Sequence, residues 1–371
     1  MREELTHGAL PSQARAVVFT AAGAPLELRE LPLRAPRGGE ILVRVTCCTI
    51  CGSDLHTYSG RRCEATPSIL GHEITGRVAR LGPLALRQDL LGQTLSEGDR
   101  VTWTIAASCG ECFFCRHELP QKCERLFKYG HQRLDDDHPF SGGLADYCLL
   151  APGTGILRLP DDLTDQMAAT ANCAIATVAA AMRTAGDCRD RVVLIQGAGM
   201  LGLTACAMAH TGGAREVICC DVHPARLDRA LQFGATRVAI ASADIVRETV
   251  LSASEGRGAD VALELSGASA AIAAGLSLLR VGGCYVLVGT VAPTPAVEFD
   301  PQMVVRRCLT ITGVHNYAPR DLVTAVEFLA RAQQEFPFAQ LVGKSFPLER
   351  ANEAFASAME HAGPRVAVVP H

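Results

Sequence analysis

Val192-Val193-Leu194-Ile195-Gln196 runs directly into Gly197-Ala198-Gly199-Met200-Leu201-Gly202, with a helical stretch beyond. The first five residues read as a buried strand, and the glycines that follow are spaced Gly-x-Gly-x-x-Gly. Gly197 permits a tight turn, Gly199 lets backbone approach a pyrophosphate, and Gly202 allows the helix to pack closely on the strand. Met200 and Leu201 open that helix, whose free N–H groups and positive dipole end attract phosphates. The spacing alone also describes a plain glycine loop. Its context decides the reading: a strand before, a helix after, and Asp221 nineteen residues past Gly202 at the end of the next strand. A carboxylate at that place accepts from the adenosine ribose hydroxyls of NAD and repels an added phosphate. Arg226, five residues on, is a cation able to bind a phosphate; we read it instead as a surface helix residue bordering the ribose.

Around this segment the chain alternates apolar strands with helical stretches. The strands fall at Val192–Gln196, Val217–Asp221, Val238–Ile240, Val261–Leu265 and Tyr285–Val288, with a sixth at Leu309–Gly313. Such alternation predicts a doubly wound parallel sheet with right-handed crossovers, an α/β fold. Upstream the texture differs. Arg15–Phe19, Leu26–Leu31, Glu40–Thr46, Val101–Ile105 and Leu144–Leu150 are short strand-like runs punctuated by Gly and Pro, which predicts a mainly antiparallel β domain. Thr164 to Gly186 is Ala-rich and helical in character and contains Cys173. The tail ends in the strand Arg365–Val369, expected to return to the first domain.

A chain of 371 residues exceeds what one hydrophobic core serves, so two domains are expected. A formal net charge of -4 without long Lys or Arg runs argues against nucleic acid and anionic membrane as partners. Met1–His7 lacks the apolar core of a signal peptide, and no segment reads as a membrane span, so a cytosolic address is expected. In that compartment sixteen cysteines do not make a disulfide framework.

Cys109, Cys112, Cys115 and Cys123 lie within fifteen residues, in two Cys-x-x-Cys steps sharing a member. Four thiolates fill a tetrahedral zinc shell and leave no open position, which marks a structural site. An iron–sulfur cluster takes the same ligands but has no electron-transfer context here. A second ligand-rich stretch opens with Cys51-Gly52-Ser53-Asp54-Leu55-His56 and closes with Gly71-His72-Glu73. It offers a thiol, two imidazoles, carboxyls and a hydroxyl, ligands for a divalent metal together with groups able to relay a proton.

Together these motifs resemble the zinc-dependent medium-chain dehydrogenase/reductase family of alcohol, polyol and threonine dehydrogenases, in the family's order over nearly the whole chain. The resemblance implies a GroES-like catalytic domain over residues 1–173, a Rossmann NAD-binding domain over 174–313, and a return to the catalytic domain over 314–371. Cys51, His72 and Cys173 would hold a catalytic zinc, with Glu73 binding it when water or substrate leaves. Cys173 also reads as a small buried helix residue, and only its position in the family marks it as a ligand. Ser53 would receive the hydroxyl proton and pass it to His56. Asp54 reads as a loop acid or helix cap, and the resemblance favours a carboxylate that orients His72. The implied activity is NAD-dependent oxidation of a small alcohol to an aldehyde or ketone, by a homodimer or homotetramer with one catalytic and one structural zinc per chain.

Cys109 to Gly143, with Lys128-Tyr129-Gly130-His131, and Ala171-Asn172-Cys173-Ala174 are similar to a branch of alcohol dehydrogenases associated with phosphonate catabolism. An anionic substrate needs cations near the zinc, and Arg61, Arg62, Lys128 and His131 are the candidates; charge pairs on loops are also commonly just solvated. The alternatives are a polyol- or threonine-type dehydrogenase and a non-catalytic cofactor-binding sensor. The second is disfavoured because the ligands and relay groups are all present.

Overall fold

The computed structural model describes residues 10–360 and 365–370, so the reading of Met1–His7 lies outside the described residues. The chain packs as two units. One comprises the chain up to Cys173 together with Ala318–Ala330 and the segment from Phe338 on; the other comprises Ala174–Tyr317 and Arg331–Pro337.

The first unit is built on mainly antiparallel sheets, with Val342–Pro347 running parallel to Arg365–Val369. Gln13–Phe19 pairs with Glu27–Pro32 on one side and Ser68–Ile69 on the other. A seven-stranded sheet centres on Ile41–Thr49, which pairs with Glu73–Leu81, Tyr147–Leu150 and Arg365–Val369. Seven of the nine residues of the Ile41–Thr49 strand are buried, with Arg44 and Thr46 half-buried, which is why it sits in the middle. Trp103, Tyr129, Phe140 and Phe355 fill the core beside it. The run expected from Leu144 becomes a strand only at Tyr147. Leu144 is spent on other partners, donating to the Leu70 carbonyl (3.1 Å) and accepting from Val17 N (2.8 Å).

The second unit is a six-stranded parallel sheet. Numbered along the chain its strands lie in the order third, second, first, fourth, fifth, sixth, with Val192–Gln196 and Ala259–Glu264 meeting where the order reverses. That is the arrangement expected of a doubly wound nucleotide-binding fold. Val192, Leu194, Ile218, Ala262 and Tyr285 pack beneath the covering helices. Among the described residues no helix is long and apolar enough to cross a membrane.

The stretch Thr164–Gly186 is not one helix. It breaks into a short helix Asp165–Ala169, a π turn Ala171–Ile175 and a helix Ala176–Ala185. Such one-turn widenings are frequent at functional sites, and this one carries Cys173.

Candidate active site and metal centres

Cys51 precedes a two-turn helix, Gly52–Tyr58, that begins as the central strand ends at Thr49. Asp54 organises this corner. One carboxylate oxygen accepts from Cys51 N (2.9 Å), capping the helix; the other accepts from Gly71 N (3.2 Å) and His72 Nδ1 (3.1 Å). The two readings of Asp54, helix cap and orienter of His72, are therefore both correct. Gly71 has φ +89, and a Cβ there would lie 2.5 Å from Cys48 Sγ, so no other residue fits this approach to the histidine. With Nδ1 engaged, Nε2 faces the site, 3.2 Å from Ser53 Oγ.

The Cys51 and Cys173 thiols and the His72 ring nitrogen lie within 4.8 Å of one another. Two thiols and a neutral imidazole fit zinc in chemistry and number, with a fourth position left over. The site is prepared for a cation. Hydrogen bonding from Cys173 and the nearby Arg365 charge hold the Cys51 thiol well below its ordinary range against the opposing effect of burial. Burial resists protonation of His72, yet the Asp54 and Cys51 charges raise it to about 10, and a metal ion on Nε2 takes the place of that proton.

Glu73 is separate from this trio. It is fully buried, and its oxygens accept from Thr49 Oγ1 (2.6 Å) and Arg365 Nη2 (3.0 Å). Burial and the Cys51 charge push it up to about 7 although Arg365 opposes them. In this conformation both Glu73 oxygens are occupied by protein partners, Thr49 and Arg365. Arg365, whose Nη2 also lies 3.4 Å from Cys51 Sγ, was not anticipated. Its signal was a lone cation opening the otherwise apolar strand Arg365–Val369, which pairs Ala367 with Thr49.

Ser53 and His56 sit on the same short helix, but among the described residues no hydrogen bond joins them. Arg62 is held by Glu64 at 2.5 Å, while Arg61 is exposed.

The quartet Cys109, Cys112, Cys115 and Cys123 also converges within 4.8 Å. Sulfur–sulfur distances of 3.9 Å link Cys109 to Cys115 and Cys112 to Cys123. Backbone N–H groups of Cys109, Cys112 and Arg125 point at the sulfurs at 3.2–3.3 Å. The Glu111 amide, with Arg125, brings the Cys109 thiol down to about 6, readying it as a thiolate. Four thiolates suit a closed structural zinc.

In the second unit Gly197 adopts φ +103, and a Cβ on Gly202 would fall 1.7 Å from the Gly197 carbonyl oxygen, so that helix-to-strand approach excludes any side chain. Gly199 faces open space. A cavity of about 430 Å³ beside the loop is lined by Gly197, Gly199, Asp221, Val222, Arg226 and Ser242, among others. Met200 and Leu201 open the helix outside that lining. Asp221 accepts from Ala198 N (2.8 Å) and His223 N (2.9 Å), and Arg226 Nη1 stands 3.6 Å from it. Arg226 is therefore more than a neighbour on the surface: it lines the cavity and offsets part of the Asp221 charge.

Residues 37–161 match the alcohol dehydrogenase GroES-like domain, and residues 201–331 match the zinc-binding dehydrogenase family. The chain is 32% identical over 349 residues to 5-exo-hydroxycamphor dehydrogenase of Pseudomonas putida, covering 92% of this chain and 94% of that protein. It is 32% identical over 307 residues to L-threonine 3-dehydrogenase of Deinococcus radiodurans, covering 81% and 83%. The solved structure of an alcohol dehydrogenase from Thermotoga maritima superposes with a TM-score of 0.90 at 31% identity, covering 97% of this chain and 100% of that one. The chain belongs to the zinc-binding medium-chain dehydrogenase/reductase family and is an NAD-dependent oxidoreductase built from a GroES-like and a Rossmann-like domain.

Proposed function

We propose that this protein oxidises a small primary or secondary alcohol with NAD at the Cys51–His72–Cys173 centre. The observation that carries the reading is the convergence of those three ligands around a histidine whose other nitrogen is fixed by Asp54. When bound, zinc polarises a hydroxyl oxygen and lowers its pKa, and NAD accepts a hydride. The chain's own groups do the rest. Asp54 holds the His72 tautomer, and Ser53 Oγ, beside Nε2, is placed to take the hydroxyl proton. His56, a turn further along the same helix, is the exit we assign to that proton; with no direct bond to Ser53, the transfer needs a bridging group between them. Arg365 and Thr49 hold Glu73 in place and oppose the burial that pushes its carboxyl up. The four-cysteine lobe has a structural role.

Within the alcohols we favour one bearing an anionic group, a hydroxyalkylphosphonate among them, on the similarity of the Cys109–Gly143 segment and on the cations near the centre. Similarity to L-threonine 3-dehydrogenase favours a second reading, a hydroxy amino acid or polyol. Following NADH absorbance over hydroxyalkylphosphonates, hydroxy amino acids, polyols and simple alcohols decides between them. No NADH formation from any class would refute the activity.

Cofactor choice gives a separate test. Asp221 opposes the extra phosphate of NADP, and Arg226 weakens that opposition, so kcat/KM should favour NAD by about ten- to a hundredfold. Asp221→Asn removes the charge and keeps one of the two acceptor oxygens that hold the Ala198 and His223 amides, and should narrow the ratio chiefly by improving NADP. Equal kcat/KM values in the unaltered protein would sink this assignment.

A further inference from the structure

The strand Phe127–Lys128 ends in a tight turn in which His131 N–H donates to the Lys128 carbonyl (3.3 Å), so both side chains leave one turn. The His131 ring stacks on His72, centroids 5.4 Å apart and planes 29° from parallel. Its Nδ1 lies 3.1 Å from Glu64 Oε1, and the same oxygen holds the Arg62 guanidinium at 2.5 Å. Arg62, Glu64 and His131 thus form one packed group against the metal-ligating histidine. The half-buried Lys128 ammonium lies in the field of Arg62 and Glu64 and of both site thiols, Cys51 and Cys173. Among the described residues it makes no hydrogen bond or ion pair of its own.

The pairing of cations with anions singles Lys128 out. A zinc ion cancels the two thiolates, and His72 is then neutral. Glu73 is matched by Arg365, and Glu64 by Arg62. The Asp54 carboxylate is already satisfied by three N–H donors. Of Arg365, Arg62 and Lys128, only Lys128 has no direct anionic partner among the described residues, and it is partly removed from water, where an unpaired ion is costly. Burial, with Arg62 adding to it, pushes the ammonium pKa down, as expected of a cation short of a partner.

We infer that Lys128 is the anchor for an anionic group on the substrate: the alcohol hydroxyl goes to the Cys51–His72–Cys173 centre, and a carboxylate or phosphonate oxygen on the same molecule meets the Lys128 ammonium. Arg62, tied down by Glu64, contributes field rather than a free bidentate fork, and exposed Arg61 has no part. A lysine recognises its partner as a point charge, so either class of oxyanion is accepted. This inference rests on the alcohol-oxidation reading for what the anion is attached to, and on the cluster itself for where it binds.

The test uses the zinc-loaded, full-length protein and two readouts. Calorimetric titration with ethylphosphonate, which has no hydroxyl to oxidise, measures the anion subsite without turnover. The ratio of KM for 2-hydroxyethylphosphonate to KM for 1-propanol measures it during turnover. Lys128→Met should weaken ethylphosphonate binding about ten- to a hundredfold, the usual worth of a charged contact, and raise the KM ratio by a similar factor. Lys128→Arg should retain most of the affinity, and Arg61→Ala should change neither readout. Zinc content, measured alongside, shows that each variant keeps its metal centres. Ethylphosphonate binding that is absent in the unaltered protein, or the same in Lys128→Met, overturns the inference, as does an equal rise in both KM values. Should ethylphosphonate bind through Lys128 while no alcohol is oxidised, the subsite stands and the alcohol reading falls.

Discussion

Cys51→Ser is expected to lose one of two zinc ions per chain and all measurable NADH formation, while remaining folded. The reasoning runs through charge as well as geometry. Cys51 is the thiol of the trio that is already biased to its anionic form, by Cys173 and Arg365, and so supplies much of the negative charge that a dication needs. A serine hydroxyl does not ionise near neutral pH and is a poor zinc ligand, so the substitution removes a ligand and a charge together. Loss of a mere hydrogen-bonding neighbour of a ligand costs about ten- to a hundredfold in metal affinity; loss of the ligand itself should cost more. The quartet at Cys109–Cys123 is a separate ligand set and should keep its ion. Elemental analysis should therefore fall from about two zinc ions to about one. Circular dichroism should be unchanged. A variant that kept both ions and full turnover would show that Cys51 is not part of a catalytic centre.

The largest effect on stability is expected from Arg365→Met. Arg365 and Glu73 form a buried ion pair at 3.0 Å, with Glu73 fully enclosed and the Arg365 side chain 15% exposed. Removing one partner of such a pair leaves an uncompensated charge and costs about 3–5 kcal/mol. Against a total stability of about 5–15 kcal/mol, that should move the urea midpoint far down. Replacing both partners by apolar residues, Glu73→Leu with Arg365→Met, should be less damaging than the single change, because no charge is then stranded. A single variant within about 1 kcal/mol of the unaltered protein, or a double variant whose cost equals the sum of the two singles, would mean the pair carries little weight.

The Rossmann-like half was legible in the sequence because its information is local. A five-residue strand, three glycines and an acid one strand later specify turn, phosphate approach and packing within some thirty residues. Gly202, pressed against the Gly197 carbonyl, shows why that spacing admits no other residue. The cysteine quartet was legible for the same reason: fifteen consecutive residues bring four thiols within 4.8 Å of one another. Asp54 was half legible, since a cap three residues into a helix is a short-range pattern while its bond to His72 spans eighteen positions. What the tertiary structure alone decided lies at long range. Arg365 reaches Cys51 across 314 positions, because the tail strand pairs beside Thr49 and delivers its first residue under the site. The same pairing lets Arg365 join Thr49 in holding Glu73 away from the ligand trio. Which cation near the centre lacks a partner was also undecided until folding set Glu64 against Arg62 and His131. Spacing along a chain encodes contacts made within a turn or a loop. Contacts between distant residues depend on strand pairing and on where each buried charge finds its counter-charge, and those are settled only when the sheets assemble.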